Sequence, residues 1–407
     1  MNRARHSPSP GPFPTLSTAQ WAEVLAAHRQ FGTPEGLGRP LGILSQSLWL
    51  PEVVDRSEPA PEIRLAGPAA RVPEYDAAIR DSVVNAGRLV RSARRRDGFP
   101  VVFIRRGFYG HSQRLSEPFG TTVELEGEGG HGAAQAWPSI RSMDEVAHLK
   151  LKPLKDCRFL SRSLEVLRYV VESTEGRYHI PHMVTTGPCD TVNYATGSTL
   201  LLESFYSHPR EVHQLLRMAT DLIIEHIQAC QRIAGDRLVS DHTHLLDGAY
   251  CICSEIRSQF SAEHFEEFEA PYLKEIGRAV GKLHIHVSGP IEQSLPGTLR
   301  DPNIVHGKFW VRDCDLRRVS ELAGNRISLD MFCNDCMPAI GFADAVEFYR
   351  YVFLNTRPES RWTVPFTWFF GNRPGSPRTC TDAFNQAYDE LDREGTLPPA
   401  VRAFGRI

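Results

Sequence analysis

SAEHFEEFEAPYLKEIGRAVGKLHIHVS, residues 261–288, reads as one helix feeding one strand. Ser261 is an N-cap residue type, with His264 at the third helical position, and the helix is expected to run to about Val280. From Lys282 the pattern changes to a period of two, which places His284, His286 and Ser288 on one face of a strand over 282–288.

The same alternation extends both ways along the chain. On the N-terminal side are helices over 142–150 and near 160–174, the strand YHIPHMVTT (178–186), a Gly-Pro turn and short helices. A long amphipathic helix over 208–234 follows, marked by His208-Pro209 and Glu211 at its start and Gly235 at its end, then a strand over 237–245. On the C-terminal side are strands 303–310, 326–332 and 361–370, separated by helices 313–324 and 342–354, with a last helix over 380–393. Strand–helix alternation at this spacing predicts a parallel sheet covered on both faces. About seven or eight such units favour a (β/α)8 TIM barrel over an open sheet. No glycine-rich phosphate loop of the GxGxxG or GxxxxGK[ST] kind follows these strands, which weighs against nucleotide-binding folds.

The first 74 residues read differently. A helix is expected over 19–30, then a Gly/Pro-rich run to about Pro73, so residues 1–74 are expected to form an arm packed on a barrel of residues 75–407. A helix over 75–96 ends in Arg91, Arg94, Arg95 and Arg96, which suits a solvated helix end. DGFPVVFIRRGFYG (97–110) has the form turn, buried strand and Gly-rich loop. FGTTVELEGEGGHGAAQAWP (119–138) reads as a β-hairpin turning at Gly127 to Gly132.

Composition bounds the function. The 407 residues are 41% apolar and 23% charged, as in a soluble globular enzyme. A net charge of −3 lacks the basic field of a general nucleic-acid binder. No apolar stretch approaches the ~20 residues of a membrane span, and MNRARHSPSPGPFPTL (1–16) has no apolar signal core. Nine scattered cysteines do not form a secreted disulfide framework, so a reducing cytoplasm is expected.

In a TIM barrel the chemistry sits at the C-terminal strand ends. That rule brings Arg105, Arg106 and Tyr109 to one rim with Asp241, His242 and His244 of RLVSDHTHLL (237–246). His286 and Ser288, His306 and Lys308, and Asp330, Cys333, Asp335 and Cys336 join them. Histidines suit proton transfer near neutral pH, so His286 and His242 are candidate catalytic residues with Asp241. One of Arg105 and Arg106 is expected to face the rim and pair with a substrate carboxylate or phosphate, with Tyr109, His244 and Ser288 as further substrate contacts. Cys333-Asn334-Asp335-Cys336 has C-x-x-C spacing, and with His286 or His242 it would form a zinc site able to activate a thiol or a water. Asn193 and Tyr194 are candidate pocket-lining groups. The aromatic run Trp362, Phe366, Trp368, Phe369 and Phe370 is expected to serve core packing.

The order of segments resembles the uroporphyrinogen decarboxylase superfamily, which also holds corrinoid- and coenzyme M-linked methyltransferases. The resemblance rests on MVTTGPCDTVNYATGS (183–198), SHPREVHQLL (207–216), the stretch from GAYCICSEIRSQF (248–260) through HIHVSG, and RISLDMF (326–332). It covers roughly residues 70–395, and it implies that Glu255, which sits where relatives keep acidic residues, is a candidate catalytic acid or substrate anchor. It implies a barrel, a small-molecule substrate, a homodimer, and either methyl transfer from a corrinoid or other methyl donor, with a corrinoid protein as partner, or decarboxylation of a carboxylate or tetrapyrrole. The chain departs from the family at defined places. The decarboxylases' N-terminal R-Q-A-G-R string is absent, Arg105-Arg106-Gly107 being the nearest analogue, and their late Gly-His-Gly is replaced by TWFFGNRPG (367–375). The methyltransferases' zinc-binding H-x-C appears as His286-Val287-Ser288, with serine for cysteine. Three readings stand: a one-carbon group transferase, a decarboxylase of an arginine-held carboxylate, and a non-catalytic small-molecule-binding barrel.

Overall fold

The computed structural model describes residues 41–43, 72–80, 112–125, 134–174, 180–181, 185–239, 248–332, 342–365 and 380–406. Its centre is a parallel sheet of seven strands in the order β1-β11-β10-β9-β8-β7-β5. In chain order these are β1 (Leu41–Ile43), β5 (Thr185–Thr186), β7 (Tyr250–Cys253), β8 (Leu283–Val287), β9 (Ile304–Trp310), β10 (Ser328–Phe332) and β11 (Arg361–Pro365). The intervening β2 (Thr122–Leu125) and β3 (Ala134–Trp137) form the expected antiparallel hairpin, with Thr122 opposite Trp137. The strands β4 (Ile180–Pro181) and β6 (Leu238–Val239) pair with each other in parallel. Among the described residues the seven-stranded order does not return on itself. The α/β class and the parallel sheet are as expected.

The alternation read in β8 holds in space. Leu283, Ile285 and Val287 join the hydrophobic core, while His284 and His286 project to the other face, and all five are buried. The register repeats this split across the sheet. Ile252, Ile285, Gly307, Leu329 and Trp362 are successive cross-strand partners in one row. The neighbouring row is Thr186, Cys253, His286, Lys308, Asp330 and Thr363, and the row beneath it is Cys251, His284, His306, Ser328 and Arg361. One face of the sheet is therefore apolar and packs on helices, and the other carries a band of buried polar side chains. An irregularity beside Leu283 inserts Val305 into β9 and brings the two strands into this register.

The helices follow their apolar spacing. The helix Pro209–Ala234 buries Val212, Leu215, Leu216, Ala219, Leu222, Ile223, Ile227 and Cys230, a stripe at spacings of three and four. Pro209 occupies its first position and Gly235, at φ 56°, ends it. Helix Arg158–Ser173 and helix Cys380–Arg393 lie where expected. No described helix is long and apolar enough to cross a membrane.

Four expectations are corrected. The helix from Ser261 is two helices, Ala262–Phe268 and Ala270–Val280, because Pro271 lacks the N–H that would continue the first. Residues 143–148 form a 3-10 turn, not an α-helix. The strand β7 was not expected, and it carries Cys253 into the sheet between β5 and β8. Leu41–Ile43, within the stretch read as an arm, pairs with β11 as a strand of the main sheet. The helix expected over 19–30, most of the helix over 75–96, the strand near 101–105, the hairpin turn and residues 366–370 lie outside the described residues. Trp362 does pack in the core, against Phe353.

Candidate active site

The strand β7 ends at Cys253, and the chain turns through Ser254 and Glu255 into a 3-10 turn, Ile256–Gln259. This turn aims Glu255 at the next strand. Its Oε1 lies 3.0 Å from His286 Nε2, and its Oε2 accepts the Ser288 N–H at 2.5 Å. Ser288 Oγ is 3.3 Å from the same His286 nitrogen. Cys253, Glu255 and His286 can each present one ligand atom within 4.8 Å of the others. The site thus gathers a thiol, a carboxylate and an imidazole at the C-terminal ends of two adjacent parallel strands.

The segment that carries these groups is held at every residue. The Gly187 N–H donates to the Cys253 carbonyl at 2.5 Å, and the Ser254 N–H donates to the His286 carbonyl at 2.8 Å. Ser254 Oγ donates to Glu269 Oε1 at 2.7 Å. Asp190 accepts the N–H groups of both Glu255 (2.6 Å) and Ile256 (2.8 Å). Arg257 is buried just beyond, with Nε and Nη2 on Ser294 Oγ and Nη2 also on Thr298 Oγ1, its guanidinium 4.6 Å from the Phe265 ring centroid.

The electrostatics follow from burial and these contacts. Burial pushes the Glu255 carboxyl up, but the His286 charge and hydrogen bond, aided by Ser288, outweigh it and hold the group below the usual carboxylate range. The Cys253 thiol is pushed well up, first by its hydrogen bond with Cys251, then by burial and by the negative charges of Cys251, Glu255 and Asp190. Burial raises the carboxyls of Asp190 and Glu269 as well, and lowers Arg257 to about 10. A neutral thiol beside an ionised carboxylate and an imidazole is a donor set that a divalent cation would ionise and join.

Of the residues expected at the site, His286, Glu255 and Ser288 are brought together. Lys308 is the cross-strand partner of His286 and Asp330 that of Lys308, so both belong to the same polar row. His306 lies one row below, its Nδ1 on Ser328 Oγ and its ring edge-on to His284 at 6.0 Å. Asn193 and Tyr194 lie half-buried on helix Pro188–Thr196. Arg105, Arg106, Tyr109, Asp241, His242, His244, Cys333, Asp335 and Cys336 lie outside the described residues.

Two site residues escaped the sequence reading. Cys253 was hidden because Tyr250–Cys253 is too short to display a strand period, although Cys251 and Cys253 flank a buried Ile252. Asp190 follows a Gly-Pro turn, where an acidic residue reads as an ordinary helix-start charge.

Residues 114–307 match the family model described as "Uroporphyrinogen decarboxylase (URO-D)". The match covers just under half of the chain and supports a divergent relative of the uroporphyrinogen decarboxylase superfamily. The matched span runs from the turn before β2 into β9, and so includes Asp190, Cys253, Glu255 and His286. No curated protein matches the chain. Among solved structures, a methyltransferase from Methanosarcina mazei is similar in fold, with a TM-score of 0.54 at 14% identity, over 92% of this chain and 99% of that one. The serine at position 288 marks how far this uroporphyrinogen decarboxylase-like chain departs from the superfamily's H-x-C pattern.

Proposed function

We propose that this protein is a zinc-dependent methyltransferase that moves a one-carbon group onto a small molecule, most simply a thiol. The observation that carries this reading is the convergence of Cys253, Glu255 and His286 within 4.8 Å. Three protein ligands of S, O and N type leave a fourth tetrahedral position for substrate, the composition of a catalytic rather than a structural zinc site. When bound, zinc supplies Lewis acidity that lowers the pKa of a substrate thiol or water.

The chain's own residues prepare that position. Ser288 and His286 fix both oxygens of Glu255. The bonds from Gly187, Glu269 and Asp190 hold the 253–256 backbone, so that only side chains need to move on binding. The methyl donor enters as a co-substrate, a corrinoid carried by a partner protein being one candidate. On this reading the sheet, with β1 from the N-terminal stretch as one of its strands, closes into a (β/α)8 barrel with the site at its C-terminal rim, the rest of residues 1–74 form an arm, and the protein is a cytoplasmic homodimer. The six described cysteines that are buried and outside any disulfide are in keeping with a reducing compartment.

Decarboxylation is the second reading, favoured by Lys308, a buried cation directly across from His286 and placed to hold a substrate carboxylate. Metal analysis of the purified full chain separates the two. About one equivalent of zinc is expected, lost in C253A and H286A and kept in C333A and C336A. Methyl transfer from methylcobalamin to a panel of small thiols, followed by the corrinoid's visible spectrum, should disappear in the same two variants. A metal-free wild type, or zinc lost only with Cys333 or Cys336, overturns the assignment.

A further inference from the structure

Asp190 stands at the third position of helix Pro188–Thr196, where a carboxylate ordinarily serves its own helix's free N–H groups. Here both oxygens are spent on another segment. Oδ2 accepts the Glu255 N–H and Oδ1 the Ile256 N–H, and the side chain is only 2% exposed. These two donors open the 3-10 turn Ile256–Gln259, whose start has no side-chain cap of its own.

We infer that Asp190 is a positioning residue for the reaction, a bidentate clamp that fixes the Glu255 backbone so that its carboxylate meets His286. The inference rests on the zinc reading for its consequence, but its geometry is independent of it. Glu255 is gripped at two levels, its backbone by Asp190 and its carboxylate by His286 and Ser288. The same helix start also holds Cys253 through the Gly187 N–H. One rigid element therefore sets the relative positions of two of the three donors, and β8 supplies the third. Without the clamp, two buried N–H groups lose their acceptor, the turn is free to rotate, and Glu255 pivots away from a 3.0 Å contact that tolerates little displacement.

Asp190→Asn keeps the shape and one acceptor oxygen but turns an NH2 donor toward the other N–H group, and Asp190→Ser retains one short acceptor. Zinc affinity measured by chelator competition is expected to fall about 10- to 100-fold in D190N, with a smaller loss in D190S. The metal-free proteins give a second readout, the 15N signals of the His286 imidazole in selectively labelled protein, which should shift toward those of E255Q. Circular dichroism checks that each variant is folded. Zinc affinity and His286 signals unchanged in folded D190N overturn the inference while leaving the zinc reading standing. A wild type without zinc overturns that reading, and the His286 signals alone then decide the role of Asp190. Failure of both variants to fold overturns the inference too, making Asp190 a support of the fold and not of the site.

Discussion

Gly187 is where the helix start meets the site strand, and replacing it with alanine tests that contact by itself. Its backbone, at φ −68° and ψ 170°, is open to any residue, so alanine brings no conformational strain. The cost is crowding. A Cβ there would lie 2.9 Å from Glu269 Oε1, 3.2 Å from the Cys253 carbonyl oxygen and 3.4 Å from Ile252 Cγ2. Glu269 cannot swing aside, because it is buried and bonded to Ser254 Oγ and the Cys189 N–H. The second obstacle is backbone, so β7 and the helix must separate by a few tenths of an ångström. Overpacking by one methyl costs about 1–3 kcal/mol. The stretched Gly187–Cys253 hydrogen bond adds about 1 kcal/mol. The smaller entropy of the unfolded alanine chain returns about 0.4–1 kcal/mol. A net loss of about 1–3 kcal/mol is expected, read as a lower urea midpoint, together with weaker zinc binding as Cys253 moves. Gly324→Ala is the control: at φ +52° with nothing within 4 Å, it strains the backbone without crowding anything. It should lower stability and leave zinc affinity intact. Wild-type stability and zinc affinity in G187A would refute the argument that this contact places Cys253.

Ser288→Cys restores the family's ligand type beside His286 Nε2, and zinc affinity should rise, with stronger thiolate-to-metal charge transfer in the cobalt(II) protein. Arg257→Met removes the hydrogen bonds to Ser294 and Thr298, the contact with Phe265 and a cation near Glu269 and Asp190, so a loss of about 2–4 kcal/mol is expected in urea unfolding. Glu269 titrates above the usual glutamate range because it is buried, so its ionised form opposes folding. Stability gained from its protonation appears as pH falls through that raised value and is complete below the unfolded value. Glu269→Gln, which mimics the neutral acid, should therefore gain stability relative to wild type as pH rises from 5 to 8. A constant difference across that range would contradict the assignment.

The fold was legible where segments were long enough to display a period. The helix Pro209–Ala234, with proline at its start and glycine at its end, and the strand β8, with its alternating histidines, both stand where the pattern places them. Legibility failed for short elements whose existence depends on neighbours. β7 has four residues and becomes a strand because β5 and β8 offer hydrogen bonds on both sides. Pro271 broke a helix that apolar spacing alone continues. At the site, His286, Glu255 and Ser288 were readable from strand-end position and family resemblance. Asp190 was not, because its partners are 65 and 66 residues away along the chain.

The loss of the cysteine at position 288 need not remove a thiol from the site, and strand geometry explains why. Residues i and i+2 of one strand are about 6.6 Å apart, whereas cross-strand neighbours in a parallel sheet are about 4.8 Å apart. Cys253 is the cross-strand partner of His286 and shares its face. A thiol on β7 thus starts nearer to the imidazole than one at position 288 does. On the zinc reading the site keeps a thiol beside the imidazole, displaced by one strand, and adds the Glu255 carboxylate. That displacement has a structural consequence: a ligand at 288 rides on the same strand as His286, whereas Cys253 and Glu255 depend on the register between β7 and β8. The bonds from Gly187, Glu269 and Asp190 hold the 253–256 segment, and the Ser254 N–H bond to the His286 carbonyl ties it to β8. The double variant C253S/S288C puts the thiol back in its family position and should bind zinc with less dependence on Asp190. If D190N weakens zinc binding equally in both backgrounds, the clamp does not act through the β7 donors as argued.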